Sequence, residues 1–341
     1  EYEPVKKRSD SYQSEAALEN EFIHMLEEQG YEYLSLHTED ELVINLRKQL
    51  EKLNNYSFTD KEWKQFLVES IANPNEGSKE KTRKIQEDYI QVLKRDDGTS
   101  KNIILLDNKD IHHNYLQVIH QYEVSKKHGA KHDNRYDVTV LVNGFPLVHV
   151  ELKRRGVPIR EAFNQVERYQ RDSFGTGYGL FEYVQIFVIS NGTNSKYYSN
   201  TTRYNTGGNL TGSKKEKTSN SFEFTSYWAD AKNNIISDLI DFTRTFFARH
   251  TILNILTKYC VFTSEEMLLV MRPYQITATE RIINRIEIAT NYKKYGSAAG
   301  GGYIWHTTGS GKTLTSFKAA RLATTLPYIE KVLFVVDRQD L

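Results

Sequence analysis

Apolar residues at helical spacing fill the opening part of the chain. The first stripe covers residues 16–26 and stops at Gly30, as a helix with a C-terminal glycine cap would. Two similar stripes cover residues 42–53 and 60–71, and Asp60 is a favourable N-cap for the second of them. The pattern therefore predicts that helices precede the first strands.

Strand patterns follow these helices. Residues 136–142 alternate in polarity, reach a strong hairpin signal at Asn143-Gly144, and are followed by a returning strand over 147–152. A helical stripe over 159–171 and a strongly apolar strand over 184–189 come next. The predicted order of this region is β, β, α, β.

The composition changes in residues 191–221, which are dense in Asn, Thr, Ser, Gly and Lys. Such a segment predicts a long, mobile excursion over the surface. We place it within a first domain at residues 1–255, followed by part of a second domain at 256–341. Apolar helical patterns over 235–247 and 252–261 connect the two.

The second domain has the pattern of a parallel α/β sheet. A helix over 276–288 is followed by a short strand over 300–305, a glycine-rich loop, a helix over 312–324 and a strand over 332–336. Strand, loop, helix, strand is the opening unit of an α/β ATPase sheet. The chain is therefore predicted to be an α/β protein.

Composition indicates the cellular compartment but does not identify the substrate. The chain has 45 basic and 44 acidic residues, a net charge of +1, so a nucleic-acid site must be a local patch. Its single cysteine, Cys260, excludes an internal disulfide framework and fits a reducing compartment. No apolar run approaches the length of a membrane span. We therefore expect a cytoplasmic protein with no membrane partner.

Two carboxylates and a lysine mark a candidate nuclease centre. Asp137 lies on the first hairpin strand, and Glu151 and Lys153 share a face of the second. Phosphodiester cleavage needs an activated hydroxide and charge shielding at the phosphate, which Mg²⁺ held by two carboxylates supplies. A nearby lysine can orient the nucleophile or stabilise the developing charge. We therefore predict an Mg²⁺ site at Asp137 and Glu151, with Lys153 as a further catalytic residue.

The register of the hairpin decides whether this site can form. A two-residue loop at Asn143-Gly144 pairs Asp137 with Val150, and Asp137 then faces away from Glu151. An odd loop or a β-bulge pairs Asp137 with Glu151 instead, so we predict one of these irregularities. The alternative is that Asp137 only begins a strand, while Glu151 and Lys153 form a solvated pair on a half-exposed strand.

Further polar residues on two helices are candidates for the same site. Gln165 and Tyr169 stand four residues apart on one helical face, from which both can reach the site or the DNA backbone. Otherwise Tyr169 is a core residue and Gln165 a surface residue. Glu21, on the opening helix, is a candidate third metal carboxylate, with a solvated helix charge as the alternative.

Basic residues flank the proposed metal site, and a groove that follows DNA phosphates is one interpretation of them. Solvated surface charge is the other. The members are Lys126, Lys127, Lys131, Arg135, Lys153, Arg154, Arg155 and Arg160.

Residues 306–313 have the pattern of a phosphate loop, which predicts that the chain also binds a nucleotide. Small residues let backbone N–H groups close on phosphate oxygens, Lys312 reaches the β and γ phosphates, and Thr313 binds Mg²⁺ at a helix N-terminus. His306 stands where the strict pattern has its first glycine. The loop residues predicted to bind ATP are Thr308, Gly309, Ser310, Gly311, Lys312 and Thr313.

These segments resemble known families. Taken together, the hairpin over 136–152, the helix over 159–171 and the strand over 184–189 resemble the core of PD-(D/E)xK nucleases. Tyr136-Asp137 stands in place of the proline-aspartate start. Gln165 and Tyr169 resemble an accessory motif of RecB-type and type I restriction nuclease domains. Tyr274-Gln275, with Arg272, resembles the adenine-reading glutamine motif of superfamily 2 helicases. The resemblance implies a restriction-endonuclease-like domain with a mixed sheet flanked by helices, followed by the start of a RecA-like superfamily 2 helicase domain.

Across nearly the whole chain, these features in this order resemble the motor subunit of type I restriction-modification enzymes. The resemblance implies a subunit that joins methyltransferase and specificity subunits, pumps double-stranded DNA with ATP, and cuts distant unmethylated DNA with Mg²⁺. The residues that carry it are Asp137, Glu151-Leu-Lys153, Gln165, Tyr169, Ser190-Asn-Gly192, Arg272-Pro-Tyr-Gln275, His306 to Thr313, and Val336-Asp-Arg338.

Two other interpretations stay open. A single-chain restriction enzyme or a stand-alone helicase-nuclease has a similar order, and a scaffold with an inactive nuclease would only dock DNA or partners. No Walker B pair follows the phosphate loop before Leu341, so we expect this chain to bind ATP but not to hydrolyse it alone.

Overall fold

The structure, a computed structural model, describes residues 14–124, 134–200 and 222–335. The chain forms two compact units. The first combines residues 1–228 and 236–270, and the second combines residues 229–235 and 271–341. Of the sequence predictions, the lysines at 126, 127 and 131 and the segment 336–338 lie outside the described residues.

The first unit packs helices against one large sheet. The helices are α1 (Glu15–Glu28), α2 (Glu39–Asn54), α3 (Asp60–Phe66), α4 (Ser78–Gln86), α5 (Ile159–Asp172), α6 (Leu239–Phe246) and α7 (Arg249–Thr257). None of the helices in the described ranges is both long enough and apolar enough to cross a membrane.

The strands pair into one large sheet and two small hairpins. They are β1 (Glu32–Tyr33), β2 (Ile90–Lys94), β3 (Ser100–Ile104), β4 (Leu116–Val124), β5 (Asn134–Val142), β6 (Phe145–Leu152), β7 (Ile186–Ser190), β8 (Ser195–Ser199), β9 (Ser226–Ala229), β10 (Ile235–Ile236), β11 (Cys260–Phe262) and β12 (Leu268–Val270). The large sheet has eight strands in the order β1-β4-β5-β6-β7-β8-β9-β10.

Parallel and antiparallel pairs are mixed in the large sheet. The pairs β1–β4 and β6–β7 are parallel, whereas β4–β5, β5–β6, β7–β8 and β8–β9 are antiparallel. A parallel pair needs a crossover, and α5 provides it between β6 and β7. The predicted mixed sheet flanked by helices is confirmed.

The predicted opening helices are also confirmed, with small changes at their ends; the third is capped by Thr59 and not by the predicted Asp60. The Ser14 hydroxyl accepts a hydrogen bond from the Ala17 N–H and caps α1. Thr38 and Glu41 form a capping box at the start of α2. The helix predicted to end near residue 71 consists of α3 and a following π-helical turn, Leu67–Ile71.

A tight turn joins β5 to β6. Asn143 and Gly144 both have positive φ angles, 53° and 85°, as a two-residue hairpin turn requires. A Cβ atom on Gly144 would lie 2.7 Å from the Leu46 Cα, so only glycine fits there. The buried Asn143 side chain accepts from the Tyr115 N–H and donates to the Leu105 carbonyl. The tip of the hairpin is therefore fixed by residues outside it.

The register shifts by one residue just beyond this turn. Val142 pairs with Phe145, but Val140 pairs with Val148, so Leu147 is an extra residue in β6. This is the irregularity that the sequence called for, and the predicted β-bulge is confirmed. As a result, each residue of β5 before Leu141 lies opposite a different residue of β6 from the one that a regular two-residue hairpin would place there.

The polar segment after β7 does not begin where the sequence indicated. Residues 195–199 form β8, which pairs with β7 and buries Tyr197 and Tyr198. The surface excursion predicted for 191–221 is therefore wrong over its first part, because a turn at Gly192, with a φ of 80°, returns the chain to the sheet. The rest of that segment lies outside the described residues.

Two predicted helices near the end of the first unit are shorter than expected. The pattern over 235–247 contains β10 before α6, and the pattern over 252–261 passes from α7 into β11. Short apolar runs do not distinguish a buried helix from a buried strand. The hairpin β11–β12 packs against α4 and β8, so the first unit extends to Val270, beyond the predicted boundary at 255.

The second unit contains α8 (Pro273–Asn291) and α9 (Lys312–Ala323), which pack together. The segments 300–305 and 332–335 were predicted as strands and are not strands. Trp305 and Leu333 are 89% and 86% exposed. A parallel strand needs hydrogen-bonded neighbours, and in the described part of this unit no strand lies beside either segment.

We expect Gly144→Ala to lower the free energy of unfolding by roughly 2–4 kcal/mol, because it combines backbone strain with a clash against Leu46. Urea denaturation measures the change. Gly98→Ala is the matched control, since Gly98 has nearly the same φ angle, 82°, but no atom within 4 Å of an added Cβ. It should lose only the strain, about 1–2 kcal/mol. Equal losses in the two variants would contradict the close approach of Leu46.

Candidate active site

The two predicted carboxylates meet at the centre of the large sheet. Val138 pairs with Val150, which places Asp137 of β5 across from Glu151 of β6. The two carboxyls are close enough for each to affect the pKa of the other. Asp137 is 7% exposed and Glu151 is fully buried. The bulged hairpin therefore brings together two acids that a regular hairpin would have placed on opposite faces.

Lys153 completes this group. Its ammonium donates to Glu151 Oε1 at 3.0 Å and to the Leu152 carbonyl at 3.2 Å. It also lies 3.8 Å from the Glu15 carboxylate of α1. The Leu152 N–H donates to Asp137 Oδ2 at 2.9 Å. Positive charge and a backbone donor thus face the acids from the same end of β6.

Burial raises the pKa of both acids above their ordinary values. For Asp137, the charge of Glu151 adds to the effect of burial, while Lys153 opposes it. For Glu151, Lys153 again opposes the effect of burial. Burial lowers the pKa of Lys153, but Glu151 and Asp137 outweigh that effect and raise it overall. The lysine stays cationic, whereas the two acids hold protons more readily than exposed carboxylates do.

One oxygen of this pair has no hydrogen-bond partner. Glu151 Oε2 is buried and unpaired in the structure. Such an atom is costly unless a cation or a donor satisfies it. Within the described ranges, no group of three or more His, Cys, Asp or Glu side chains is arranged to hold a metal ion. Mg²⁺ commonly binds one or two carboxylates and keeps several waters, so the Asp137–Glu151 pair suits it.

Glu19 of α1 is a buried acid whose charge acts on Asp137, whereas the sequence analysis named Glu21 as the third carboxylate. Glu19 is 4% exposed, and its charge is among those that raise the pKa of Asp137. Glu21 is half-buried and lies two residues further, about 200° around the helix. The sequence held a signal that we missed, because Glu19 occupies a position in the apolar stripe with Phe22, Ile23 and Leu26.

A strained residue holds Glu19 in place. Gln121 of β4 donates to Glu19 Oε2 at 3.2 Å and has a φ of 51°. Left-handed backbone is uncommon for a residue other than glycine, and it clusters at functional sites. Gln121 lies opposite Asp137, between the pairs His120–Val138 and Tyr122–Tyr136. Strand β4 thus contributes a side chain to the surroundings of the acidic pair.

The predicted Gln165 and Tyr169 lie on α5 beside the same strands. The Tyr169 hydroxyl donates to the Arg135 carbonyl at 2.7 Å and accepts from the Gln165 amide. Tyr169 is 1% exposed, so it is both a core residue and a fixed neighbour of the acids. Burial, followed by the charge of Glu151, raises its pKa. The pair therefore anchors the backbone two residues before Asp137.

Two of the described basic residues around the site are engaged within the chain, Arg155 and Arg160. Arg155 donates to Thr193 Oγ1 at 3.2 Å and to Asp238 Oδ2 at 3.3 Å. The Arg160 guanidinium lies over the Phe222 ring, 5.4 Å from its centroid. These contacts explain the two residues as structural links, and a DNA-phosphate groove remains a prediction.

The phosphate loop stands at the start of α9 in the second unit. Gly309 and Gly311 have φ angles of 76° and 79°, which only glycine adopts without strain. Lys312 and Thr313 occupy the first turn of α9, and the Lys312 ammonium lies 3.4 Å from the Thr307 carbonyl. The backbone thus has the curvature that lets N–H groups converge on an anion at a helix N-terminus.

The upstream residues predicted to bind ATP contact this loop. The Tyr274 hydroxyl and the Gln275 amide donate to the Ser310 carbonyl at 2.8 and 3.0 Å. Gln275 Oε1 also accepts from the Arg272 N–H. A cleft of about 880 Å³ is lined by residues that include Arg272, Thr308, Gly309 and Ser310. The structure therefore brings the upstream residues and the loop to one place.

Comparisons with known proteins agree with this two-part organisation. Residues 12–206 match the family described as "Type I restriction enzyme R protein N terminus", and residues 268–341 match "Type III restriction enzyme, res subunit". The first match covers more than half of the chain. The site and the phosphate loop thus fall in regions that restriction enzymes share.

Individual relatives are also restriction enzyme subunits. The chain is 50% identical over 287 residues to the EcoprrI type I restriction enzyme endonuclease subunit of Escherichia coli, covering 84% of this chain and 86% of that one. It is 40% identical to the SsaAORF53P endonuclease subunit of Staphylococcus saprophyticus and 38% identical to the SauMSSORF170P subunit of Staphylococcus aureus strain MSSA476. These two matches cover 97% of this chain and 32% of each relative.

The chain belongs to the family of type I restriction enzyme endonuclease subunits. It carries the N-terminal region of that family followed by a helicase-like region. It spans about a third of the length of the staphylococcal relatives.

We expect Asp137→Asn to raise the free energy of unfolding by about 1–3 kcal/mol at about pH 8, and to leave it nearly unchanged at about pH 4. The folded state raises the pKa of Asp137. The native chain therefore holds a proton that the unfolded chain releases, and it loses stability as pH rises between the two pKa values.

Urea denaturation at the two pH values measures this effect. Glu123→Gln, at an exposed position of β4, is the control for loss of a carboxylate outside the centre. A gain for Asp137→Asn that is the same at both pH values would contradict the assigned burial of charge.

Proposed function

We propose that this chain supplies the nuclease centre and the ATP-binding part of the motor of a type I restriction enzyme. The reaction is Mg²⁺-dependent cleavage of double-stranded DNA, coupled to ATP-driven translocation. The observation that carries the proposal is the buried pair Asp137 and Glu151, which lies beside Lys153 in the middle of the sheet. The names of the relatives, endonuclease subunits, agree with it.

Asp137 and Glu151 would hold the Mg²⁺, with Glu19 nearby as a further acid. When bound, the ion supplies an activated hydroxide and shields charge at the phosphate. The two acids suit this role because burial disfavours their charged forms, as their raised pKa values indicate. A bound cation would favour those charged forms. The unpaired Glu151 Oε2 supports the same assignment.

Lys153 would act on the substrate side of this pair. Its ammonium remains cationic because the neighbouring acids raise its pKa overall. It is 12% exposed, so a phosphate that reaches the acids also reaches this charge. In a site of low polarity, a fixed cation stabilises negative charge that develops on the phosphate. Gln165 and Tyr169 would keep β5 in register beside it.

In the second unit, ATP would bind at the phosphate loop. Backbone N–H groups of Thr308 to Gly311 would surround the phosphates, Lys312 would contact them directly, and Thr313 would contribute to Mg²⁺ binding. Gln275 and Arg272 would read the adenine from the adjacent segment. The contact of Gln275 with Ser310 and the hydrogen bond between Arg272 and Gln275 support a common site.

The partners that we propose are double-stranded DNA and the methyltransferase and specificity subunits of the same system. The specificity subunit would read the target sequence, since a centre built from two acids and a lysine acts on the phosphodiester backbone and not on bases. The family of the chain supports this arrangement.

We expect Asp137→Ala to reduce DNA cleavage by the complete enzyme complex by roughly 100-fold or more, because half of the Mg²⁺ site is removed. ATP-driven translocation should continue, since the phosphate loop is untouched. Plasmid cleavage and triplex displacement measure the two activities. Glu123→Ala, on the neighbouring strand β4, is the control and should cut normally. Normal cutting by Asp137→Ala would refute the assigned centre.

For the loop, we expect Lys312→Ala to weaken ATP binding about 10- to 100-fold, because charge-assisted contacts to the phosphates are lost. Equilibrium dialysis with Mg²⁺ and radiolabelled ATP measures it on this chain. Lys331→Ala removes an exposed lysine outside the loop and should bind as the unaltered chain does. Unchanged binding by Lys312→Ala would show that the loop does not hold ATP.

A further inference from the structure

A buried histidine lies beside the acidic pair and takes no part in the mechanism above. His149 stands two residues before Glu151 in β6, so both side chains project from the same face. Its Nε2 atom is 3.6 Å from Glu151 Oε2. Neither of these two buried atoms has a hydrogen-bond partner in the structure. Two unsatisfied polar atoms that face each other in a dry core are an arrangement that needs a physical reason.

The other ring nitrogen of His149 already has a neighbour. Thr139 of β5 pairs directly with His149, and its hydroxyl lies 3.2 Å from Nδ1. Both residues are buried, at 1% and 0% exposure. The hydroxyl can donate to Nδ1 or accept from it, and that choice decides which nitrogen carries the single proton of a neutral ring.

The imidazole is held in this orientation by aromatic rings on its other sides. The rings that meet it edge-on, with centroid separations of 5.6 to 6.3 Å, belong to Tyr136, Tyr169, Phe174 and Phe187. Rings packed in this way leave no space for the histidine to turn towards another polar partner. In this packing, Glu151 is the group that Nε2 faces.

The two oxygens of Glu151 are divided between two neighbours. Oε1 accepts from Lys153, and Oε2 faces His149. A neutral imidazole carries one N–H, on either of its two ring nitrogens. With the proton on Nδ1, a nitrogen lone pair would face an ionised carboxylate and repel it. With the proton on Nε2, the same contact becomes a hydrogen bond to the charged form.

Resting on the nuclease function proposed above, we infer that His149 is a positioning residue of the metal site. The Thr139 hydroxyl donates to Nδ1, the proton resides on Nε2, and Nε2–H fixes Oε2 of Glu151 in the rotamer that faces Asp137. At 3.6 Å the contact is longer than a hydrogen bond, and a small shift of either side chain closes it. His149 thus orders the carboxylate without binding the metal.

His149→Phe tests this inference, because a phenyl ring fits among the surrounding aromatic rings but has no donor. We expect the Mg²⁺ concentration that half-saturates the chain to rise about 10-fold, within the range found for residues that orient a metal ligand. The shift of the thermal unfolding midpoint on titration with Mg²⁺ measures it. His149→Gln returns an N–H donor near the position of Nε2 and should recover part of the affinity.

Two further variants separate this role from packing. Thr139→Val keeps the shape of Thr139 but removes the hydroxyl, and we expect a smaller loss of Mg²⁺ affinity in the same direction. His120→Phe is the matched control, since His120 also bonds a hydroxyl, that of Tyr33, but pairs with Val138 and does not face Glu151. It should bind Mg²⁺ as the unaltered chain does. Equal affinity in His149→Phe and the unaltered chain, or no recovery in His149→Gln, would overturn the inference.

The proton position can be observed in the unaltered chain, which keeps the test valid if a variant fails to fold. Long-range ¹H–¹⁵N correlations of the histidine-labelled chain, with Mg²⁺ present and His149 assigned from His149→Gln, should show the Nε2–H tautomer. An Nδ1–H tautomer would overturn the inference.

Asp137→Ala distinguishes this outcome from failure of the proposed function. If its Mg²⁺ titration equals that of the unaltered chain, the metal site itself is wrong and the role of His149 falls with it. If Asp137→Ala loses Mg²⁺ binding while His149→Phe keeps it, only the role of His149 is refuted.

Discussion

The extra residue in β6 sets the geometry on which the whole candidate centre depends. Side chains alternate along a strand, so a shift of one residue changes the face that each one occupies. The shift between Val140 and Leu141 in the pairing of β5 with β6 brings Asp137 across from Glu151. The turn beside it is held from outside, because Leu46 of α2 leaves space only for glycine at position 144. The packing of α2 against the hairpin tip therefore helps to fix the register that places Asp137 across from Glu151.

The position of the pair explains its chemistry. Central strands covered on both faces are normally apolar, yet β6 carries charged and polar side chains in a strand with no exposed residue. The cost of burying the two acids is partly offset by Lys153 and by the Leu152 N–H, but both acids keep raised pKa values. Such a site is costly to the protein, and a cation of the kind proposed above would relieve that cost. This is the usual relation between stability and function at metal sites.

The candidate sites of the two units depend on tertiary structure to different degrees. The acidic pair needs a finished sheet, whereas the phosphate loop needs only two glycines with positive φ and the first turn of α9. The loop is nevertheless tied to residues upstream, through the donors of Tyr274 and Gln275 to the Ser310 carbonyl. The segments beside it, with exposed Trp305 and Leu333, have strand-like sequences without strand neighbours in the described part of the unit.

The sequence by itself determined the opening helices, the hairpin, the need for a bulge, and the residues of both candidate sites, because periodicity, capping and turn chemistry act over a few neighbouring residues. Only the tertiary structure decided that Glu19 is buried where its charge acts on Asp137, that β8 joins the sheet, and that His149 lies against Glu151. These facts depend on how helices rotate against a sheet and on which strands pair. Both are settled by contacts between residues far apart in the chain, which no local pattern records.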